Sequence, residues 1–205
     1  NLTQALKDYQ TRNQPFPLAE AVEMMRQVAL ALEYAHRQGV LHRDLKPDNV
    51  ILRSEATAAL PYRPVITDLG LAKLAGGDVE TQVGTTMGTP AYMSPEQALG
   101  QQASAASDIY SLGVMFYELC TGRLPFQVKN LMEAVKAHTQ TPPPPPRSVR
   151  TDLPASVESL ILKMMEKDPT RRYTDAASLA RALEQVAAEI KAPPPPPPAL
   201  VEKVE

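Results

Sequence analysis

Charged and polar residues separate two short apolar runs at His42-Arg43-Asp44-Leu45-Lys46-Pro47-Asp48-Asn49, and the predicted elements are arranged around this octet. The apolar runs on either side predict buried backbone, so the charged octet between them is predicted to leave the core and form a functional site. Asp44 can accept a proton, Lys46 can sit beside a transferring phosphate, and Asn49 can offer an amide oxygen to a hard cation. Pro47 keeps the residue before it out of the helical region, which predicts a loop here.

A long amphipathic helix precedes the octet, and a nearly all-apolar helix follows it. The first is predicted over Leu18–Gln38, where apolar residues recur at helical spacing and Gly39 stands where a helix should stop. The second is predicted over Ser107–Thr121, with Ser107 or Asp108 as its cap. A helix that is apolar on nearly every side belongs in the middle of a core.

Shorter patterns predict the other elements. We expect short strands at Val40–Leu41, Val50–Leu52 and Val65–Thr67. Further helices are expected at Asn1–Gln10, Asn130–His138, Val157–Lys167 and Thr174–Lys191, the last capped by Thr174. More than half of the 21 prolines fall in two runs, which mark a loop and a tail: Pro142–Pro146 and Pro193–Pro198.

The strand that ends at Thr67 is followed by Asp68-Leu69-Gly70. On its own, an Asp-x-Gly triplet is most often a turn. Directly after a strand, and downstream of Asn49, a metal site is the better interpretation, because an aspartate and an amide supply the hard oxygen ligands that magnesium prefers. Residues 71–96 that follow are rich in glycine and threonine and have no sustained period. A structureless segment of this length inside a compact domain is usually functional or mobile.

The octet matches the H-R-D-L-x-x-x-N signature of protein kinases. From its first residue to about Lys191, the chain resembles the eukaryotic-like (Hanks-type) serine/threonine kinases of bacteria. The resemblance implies a mainly α fold, the large C-terminal lobe of a kinase, with a helical bundle around a buried central helix and small β-hairpins at the catalytic cleft. Residues 1–191 would form this lobe, with the catalytic loop at 42–49 and the activation segment at 68–96. Residues 192–205 would be a proline-rich linker or tail.

Three parts of a complete kinase are missing from the sequence. There is no G-x-G-x-x-G loop, and no strand with a V-A-I-K-like lysine or paired helix glutamate precedes His42. We therefore expect the N-terminal β lobe to be absent from this chain, which alone would offer half of the adenine pocket and be inactive. Two further departures are small: Leu69 replaces the usual phenylalanine, and Ser94 replaces the alanine that opens the usual triplet Ala-Pro-Glu.

The resemblance implies transfer of the γ-phosphoryl group of ATP to serine or threonine in protein substrates, with Mg²⁺ as cofactor. The catalytic residues would be Asp44, Lys46 and Asn49. The metal would be held by Asn49 and Asp68, while Lys46 and Ile51 would also contact the nucleotide. Structural support would come from His42, Arg43, Glu96, Asp108 and Arg172.

Two supporting roles and the activation segment have competing interpretations. Asp108 would brace the catalytic loop or merely cap its own helix, and Arg172 would pair with Glu96 or be a solvated charge. Thr89 would hydrogen-bond near Asp44 and Lys46 or be a turn residue. Phosphate on one further threonine would pair with Arg43, against the equally weighted alternative of plain solvated residues; the candidates are Thr81, Thr85 and Thr86.

A rival function comes from a different class of protein. The chain would be a non-catalytic module that docks partners through the Thr89 segment and the helix Asn130–His138. Composition limits the partners of either version, because the net charge of −2 gives no electrostatic footprint for nucleic acid. No run of 18 apolar residues is present, so we expect a cytoplasmic chain without a membrane segment, with an anchor or sensor expected downstream. Cys120, the one cysteine, lies in an apolar run and is expected to be a buried thiol.

Overall fold

The computed structural model describes residues 1–55, 60–69 and 90–191. Seven α-helices and two strands lie in these ranges. The helices are α1 Leu2–Thr11, α2 Leu18–Arg37, α3 Pro95–Ala98, α4 Ala105–Thr121, α5 Leu131–Gln140, α6 Ala155–Met164 and α7 Ala176–Lys191. The strands are β1 Val50–Arg53 and β2 Arg63–Ile66. The prediction of a mainly helical fold is confirmed.

The central helix is α4, and nearly all of its residues are buried. Ser104 is its N-cap, and the Ser107 hydroxyl accepts a hydrogen bond from the Ser104 backbone N–H at 2.9 Å. The predicted cap at Ser107 or Asp108 is therefore wrong, since the helix begins before both residues. It ends at Gly122, whose φ of +74° is the left-handed conformation that glycine adopts without strain. Cys120, near this end, is a buried free thiol as predicted.

Helix α2 packs against α7 and, to a smaller extent, against α4. The three helices contribute much of one continuous apolar core, which also contains residues of α1 and α6. The first turn of α7 is closed by Asp175, whose carboxylate accepts a hydrogen bond from the Ser178 backbone N–H at 2.6 Å, so the predicted cap at Thr174 is wrong. None of the helices in the described ranges is long and apolar enough to cross a bilayer.

The two strands form an antiparallel hairpin with Val50 opposite Ile66 and Arg53 opposite Arg63. The strand predicted at Val40–Leu41 does not form. The Val40 backbone N–H bonds instead to the carbonyl of Ala35 at 3.0 Å, and Gly39, with φ of +74°, bonds to His36. This is the backbone pattern that closes a helix through a left-handed residue, so the end of α2 uses the groups that a strand would need.

Candidate active site

The octet forms a loop that ends in a short 3₁₀ turn at Pro47–Asn49. Lys46 is extended, with φ −156° and ψ 165°, as the following proline requires. Leu45 is 1% exposed and anchors the loop in the core, while its charged neighbours face the surface or the loop itself. Arg43 has φ of +67°, a conformation that costs energy in a non-glycine residue and persists only where its surroundings hold it.

Asp108 holds the start of this loop. Its Oδ2 accepts from the backbone N–H of His42 at 2.9 Å, and its Oδ1 accepts from the N–H of Arg43 at 2.9 Å. His36, in the last turn of α2, lies with Nε2 at 2.8 Å from the same Oδ2. A carboxylate that is 1% exposed needs such partners, because leaving it unpaired would cost several kcal/mol. The sequence analysis missed His36, and no spacing rule would have linked it to a residue so far along the chain.

Asp44, Lys46 and Asn49 form one hydrogen-bonded group. The Lys46 ammonium lies 2.6 Å from Asp44 Oδ2. Asn49 is 7% exposed, and its Nδ2 donates to the Asp44 backbone carbonyl at 2.8 Å and towards its Oδ2 at 3.4 Å. Because the amide nitrogen is bound to the loop, the Oδ1 of Asn49 is the end left for a cation. The Asp44 side chain is 52% exposed and accessible to a substrate.

Asp68 follows the hairpin on the side of Asn49. The Thr67 backbone N–H donates to the Asn49 carbonyl at 2.9 Å, which extends the strand register by one pair. Asp68 is exposed and has φ of +60°, so its backbone turns away from the strand direction at this residue. Ile51 is 43% exposed and Leu69 is 41% exposed, although both are apolar.

The oxygen donors of Asn49 and Asp68 fit magnesium better than a softer metal. Mg²⁺ is commonly held by one or two carboxylates together with waters and substrate phosphates, so two protein ligands suffice. In the described residues there is no cluster of three or more histidine, cysteine or acidic side chains that would form a closed metal cage. Two oxygen ligands from the protein suit a metal that arrives with a phosphate ligand.

A buried ion pair joins helix α3, next to the catalytic loop, to the chain that follows α6. Arg172 makes two bonds to the Glu96 carboxylate, at 2.8 and 3.0 Å, and its side chain is fully buried. Ser107 donates to the same carboxylate at 2.7 Å. Burial alone would raise the pKa of Glu96, but the hydrogen bonds from Arg172 and Ser107 outweigh it and hold the pKa below its usual value.

Helix α3 touches the catalytic loop through Gln97, which the sequence analysis did not select. Its Nε2 donates to the Arg43 carbonyl at 2.6 Å. Ser94 and Gln97 also form a capping box, in which each side chain bonds to the backbone N–H of the other. The pattern of serine followed three residues later by glutamine is a known helix-start signal and would have pointed to Gln97.

The predicted threonines of the activation segment fall outside the described residues, so their relation to Asp44, Lys46 and Arg43 stays a prediction; they are Thr81, Thr85, Thr86 and Thr89. In the part of the chain that is described, the buried Nε of Arg43 has no hydrogen-bond partner. His42 is 1% exposed, and its Nδ1 faces the Asp44 backbone N–H at 3.4 Å.

Comparison with known proteins gives consistent results. The family model described as "Protein kinase domain" matches residues 2–186. The chain is 43% identical over 177 residues to the serine/threonine-protein kinase Pkn1 of Myxococcus xanthus, covering 85% of this chain and 25% of that protein. It is 39% identical over 176 residues to the serine/threonine-protein kinase PknA of Mycobacterium tuberculosis, covering 86% of this chain and 39% of that protein.

A solved structure shares the fold. The kinase domain of PknI from Mycobacterium tuberculosis superposes with a TM-score of 0.68 at 25% identity, covering 91% of this chain and 61% of that one. The chain thus spans between a quarter and two fifths of the length of the two kinases named above. The family match, these relatives and the helical fold agree, and the chain belongs to the protein kinase family, with bacterial serine/threonine kinases among its relatives.

Proposed function

We propose that this chain is the catalytic-loop half of a serine/threonine protein kinase, which transfers the γ-phosphoryl group of ATP to a serine or threonine hydroxyl of a protein. The observation that carries the proposal is the bonded group of Asp44, Lys46 and Asn49 beside Asp68. In the proposed roles, this group supplies a base, a cation and two metal ligands, and the reaction needs no covalent nucleophile. Such a set suits phosphoryl transfer, which depends mainly on positioning and charge stabilisation.

In the proposed reaction, Asp44 accepts or orients the proton of the acceptor hydroxyl. The hydroxyl oxygen forms a bond to the γ-phosphorus while the bond to the β–γ bridging oxygen breaks, and ADP leaves. Lys46, 2.6 Å from Asp44, neutralises charge on the transferring group. Asn49 and Asp68 would hold Mg²⁺, which would supply charge neutralisation to the triphosphate.

The nucleotide would lie against the exposed apolar surface of β1. Ile51 points outward from the hairpin, while Val50 before it points into the core. An exposed isoleucine beside a polar site suits the flat, apolar face of adenine. Because the reaction consumes ATP, we place it in the cytoplasm, and a membrane-anchored parent protein would carry the chain on its cytoplasmic side.

Regulation through the activation segment is part of the proposal. Arg43 presents a buried Nε that has no partner among the described residues. A phosphate on Thr81, Thr85 or Thr86 would pair with this guanidinium and order the segment. Mass spectrometry of the active protein should find phosphate on one of the three, and an active protein with none would refute this regulation.

The second candidate function is a binding module without catalysis. Leu131 and Met132 at the start of α5 are 42% and 81% exposed, which gives the helix an apolar surface for a partner. In this version, the chain would bind proteins through α5 and the segment that ends at Thr89.

Substitution of the proposed base separates the two functions. In a protein that carries this chain together with a nucleotide-binding lobe, Asp44→Asn should lower phosphoryl transfer to protein by at least about 100-fold. The melting temperature should not change, because the Asp44 side chain is half exposed. Asp152→Asn is the matched control, since that carboxylate is 70% exposed and lies in a different surface ion pair. Wild-type turnover by Asp44→Asn would remove Asp44 from the mechanism, and no transfer by the wild type would favour the binding module.

A further inference from the structure

Three consecutive peptide units around the proposed base Asp44 are each held by a side chain. The Arg43 backbone N–H donates to Asp108 Oδ1 at 2.9 Å, and the Asp44 carbonyl accepts from Asn49 Nδ2 at 2.8 Å. Between these two lies the unit that joins Arg43 to Asp44, and its carbonyl oxygen accepts from Gln97 Nε2 at 2.6 Å. Gln97 therefore holds the peptide unit that leads directly into the base.

The orientation of the Gln97 amide is determined by its two partners. A carbonyl oxygen can only accept, so the group that contacts Arg43 is the NH₂ end. The other end, Oε1, accepts from the Ser94 backbone N–H at 3.1 Å. Exchanging the nitrogen and the oxygen would put two acceptors together at one end and two donors together at the other. Both bonds therefore require the same orientation.

The backbone that Gln97 holds is not one that an arginine adopts readily. Arg43 has φ of +67°, which costs energy in a residue with a side chain. Such a residue can relax when a neighbouring peptide unit is free to rotate. In the described part of the chain, Gln97 is the one group that bonds to the Arg43 carbonyl. Without that bond the Arg43–Asp44 unit could rotate, and the Asp44 side chain would leave the backbone in a different direction.

Gln97 can hold the loop because helix α3 is itself joined to the core. The neighbouring Glu96 carboxylate bonds to Arg172 at 2.8 and 3.0 Å and accepts from Ser107 at 2.7 Å. The Ser94 hydroxyl accepts from the Gln97 backbone N–H at 3.3 Å and caps the helix. A side chain that extends from such a fixed element can position a functional group precisely.

We infer that Gln97 is a positioning residue for the proposed base: its Nε2 group holds the Arg43–Asp44 peptide unit so that the Asp44 carboxylate faces the acceptor hydroxyl. The inference rests on the proposed kinase function. In this role Gln97 touches neither substrate, nucleotide nor metal, and it acts on the reacting hydroxyl only through Asp44. Its loss should therefore slow the chemical step and leave substrate binding unchanged.

A set of substitutions separates the bond to the loop from the cap of α3. Gln97→Glu keeps an oxygen for the Ser94 N–H but turns an acceptor towards the Arg43 carbonyl, so the bond to the loop alone is lost. Ser94→Ala removes the capping hydroxyl and keeps the Gln97 side chain. Gln101→Glu is the matched control, because Gln101 is exposed and its side chain has no hydrogen-bond partner among the described residues.

The first test observes the peptide unit itself, in the isotope-labelled 205-residue chain. The carbonyl carbon signal of Arg43 should shift in Gln97→Glu, and the Arg43 amide should exchange about fivefold faster. Both should stay close to wild type in Ser94→Ala and Gln101→Glu. Gln97→Met, which removes both side-chain bonds without adding charge, should give the same result if Gln97→Glu does not fold. Wild-type values in the folded Gln97 variant would overturn the inference.

The second test separates chemistry from binding, in a protein that also carries a nucleotide-binding lobe. With myelin basic protein as the probe substrate, Gln97→Glu should lower kcat at least about tenfold. The KM values for ATP and for the probe should stay within about twofold of wild type. Ser94→Ala and Gln101→Glu should keep kcat within about twofold of wild type.

Two outcomes of the kinetic test would refute the positioning role: an unchanged kcat in Gln97→Glu, or an equal loss of kcat in Ser94→Ala, which would trace the effect to the stability of α3. A wild type that transfers no phosphate would instead refute the proposed function and the positioning role with it. The Arg43 carbonyl signal would still decide whether Gln97 holds the loop, so the two failures can be told apart.

Discussion

Asp108 shows how one buried carboxylate can order the loop 42–49. Its carboxylate oxygens lie within 2.9 Å of three nitrogens: Nε2 of His36 in α2 and the backbone N–H groups of His42 and Arg43. The N–H groups of His42 and Arg43 converge on it, and Arg43 adopts its positive φ beside this contact. The strain of that backbone conformation is offset by bonds to a buried charge, which are stronger than bonds between neutral groups.

Asp108→Asn should therefore damage the loop as well as the fold. The amide would point an NH₂ group at donors that need an acceptor, and we expect a loss of about 3 kcal/mol in the free energy of unfolding. Urea denaturation measures the loss, and amide exchange at His42 and Arg43 should become faster. The same change at Asp152, which is 70% exposed, should cost less than about 1 kcal/mol. Equal losses at the two positions would contradict the account.

His138 gives the fold a dependence on pH with a definite sign. Burial lowers its folded pKa to about 4, below the ordinary 6.5, so the unfolded chain binds a proton on this ring at a higher pH than the folded chain does. The contribution to stability is complete above pH 6.5 and is lost as the pH falls from 6.5 to about 4. Wild type should lose about 3 kcal/mol more than His138→Gln over that range. A constant difference between the two proteins from pH 7 to pH 4.5 would contradict the shift.

At the scale of elements, the approach of α4 to α6 depends on one glycine. A methyl group on Gly113 would lie 2.7 Å from Cβ of Met164, an atom fixed to the backbone of α6 that cannot rotate away. The helices can lie this close only because residue 113 has no side chain. Close contact here helps to place the chain that follows α6, from which Lys167 bonds to Tyr110 and Arg172 bonds to Glu96.

Gly113→Ala should lower the free energy of unfolding by about 1–2 kcal/mol, because the overpacking outweighs the helix propensity gained by alanine. Gly113→Val should cost more, since the larger side chain meets the same fixed atom. Gly122→Ala is the control, because φ there is +74° with no heavy atom within 4 Å of the added group. Its cost should be that of backbone strain, about 1 kcal/mol, independent of side-chain size. A Gly113→Ala protein as stable as wild type would show that the two helices separate freely.

The sequence could predict elements where local pattern and packing agree. The nearly all-apolar run 107–121 can only be a central helix, and the proline after Lys46 allows only an extended residue. The strand expected at Val40–Leu41 does not form, because the N–H groups of Gly39 and Val40 bond to carbonyls in the last turn of α2. The N-caps predicted for α4 and α7 were also wrong, because several polar residues near a helix start are equally good N-cap candidates in the sequence.

At the scale of the whole molecule, contacts between distant segments join the catalytic loop to the core. Glu96 and Arg172 meet in a buried ion pair, and Gln97 reaches the carbonyl of Arg43. The candidate residues Asp44, Lys46, Asn49 and Asp68 lie in two short motifs and could be selected from sequence. His36 and Gln97 could not be assigned their contacts in the same way, because each acts through a partner brought near only by the fold.

We propose that Asn49 and Asp68 share one metal beside the loop 42–49, and paramagnetic Mn²⁺ tests this proposal most directly. Mn²⁺ with ATP, added to the isotope-labelled chain, should broaden the amide signals of Asn49 and Asp68 before those of surface carboxylates such as Asp152. Asp68→Ala should abolish the effect at Asn49, while Asp152→Ala should leave it unchanged. Broadening that appears at surface carboxylates and never at Asn49 and Asp68 would contradict the account.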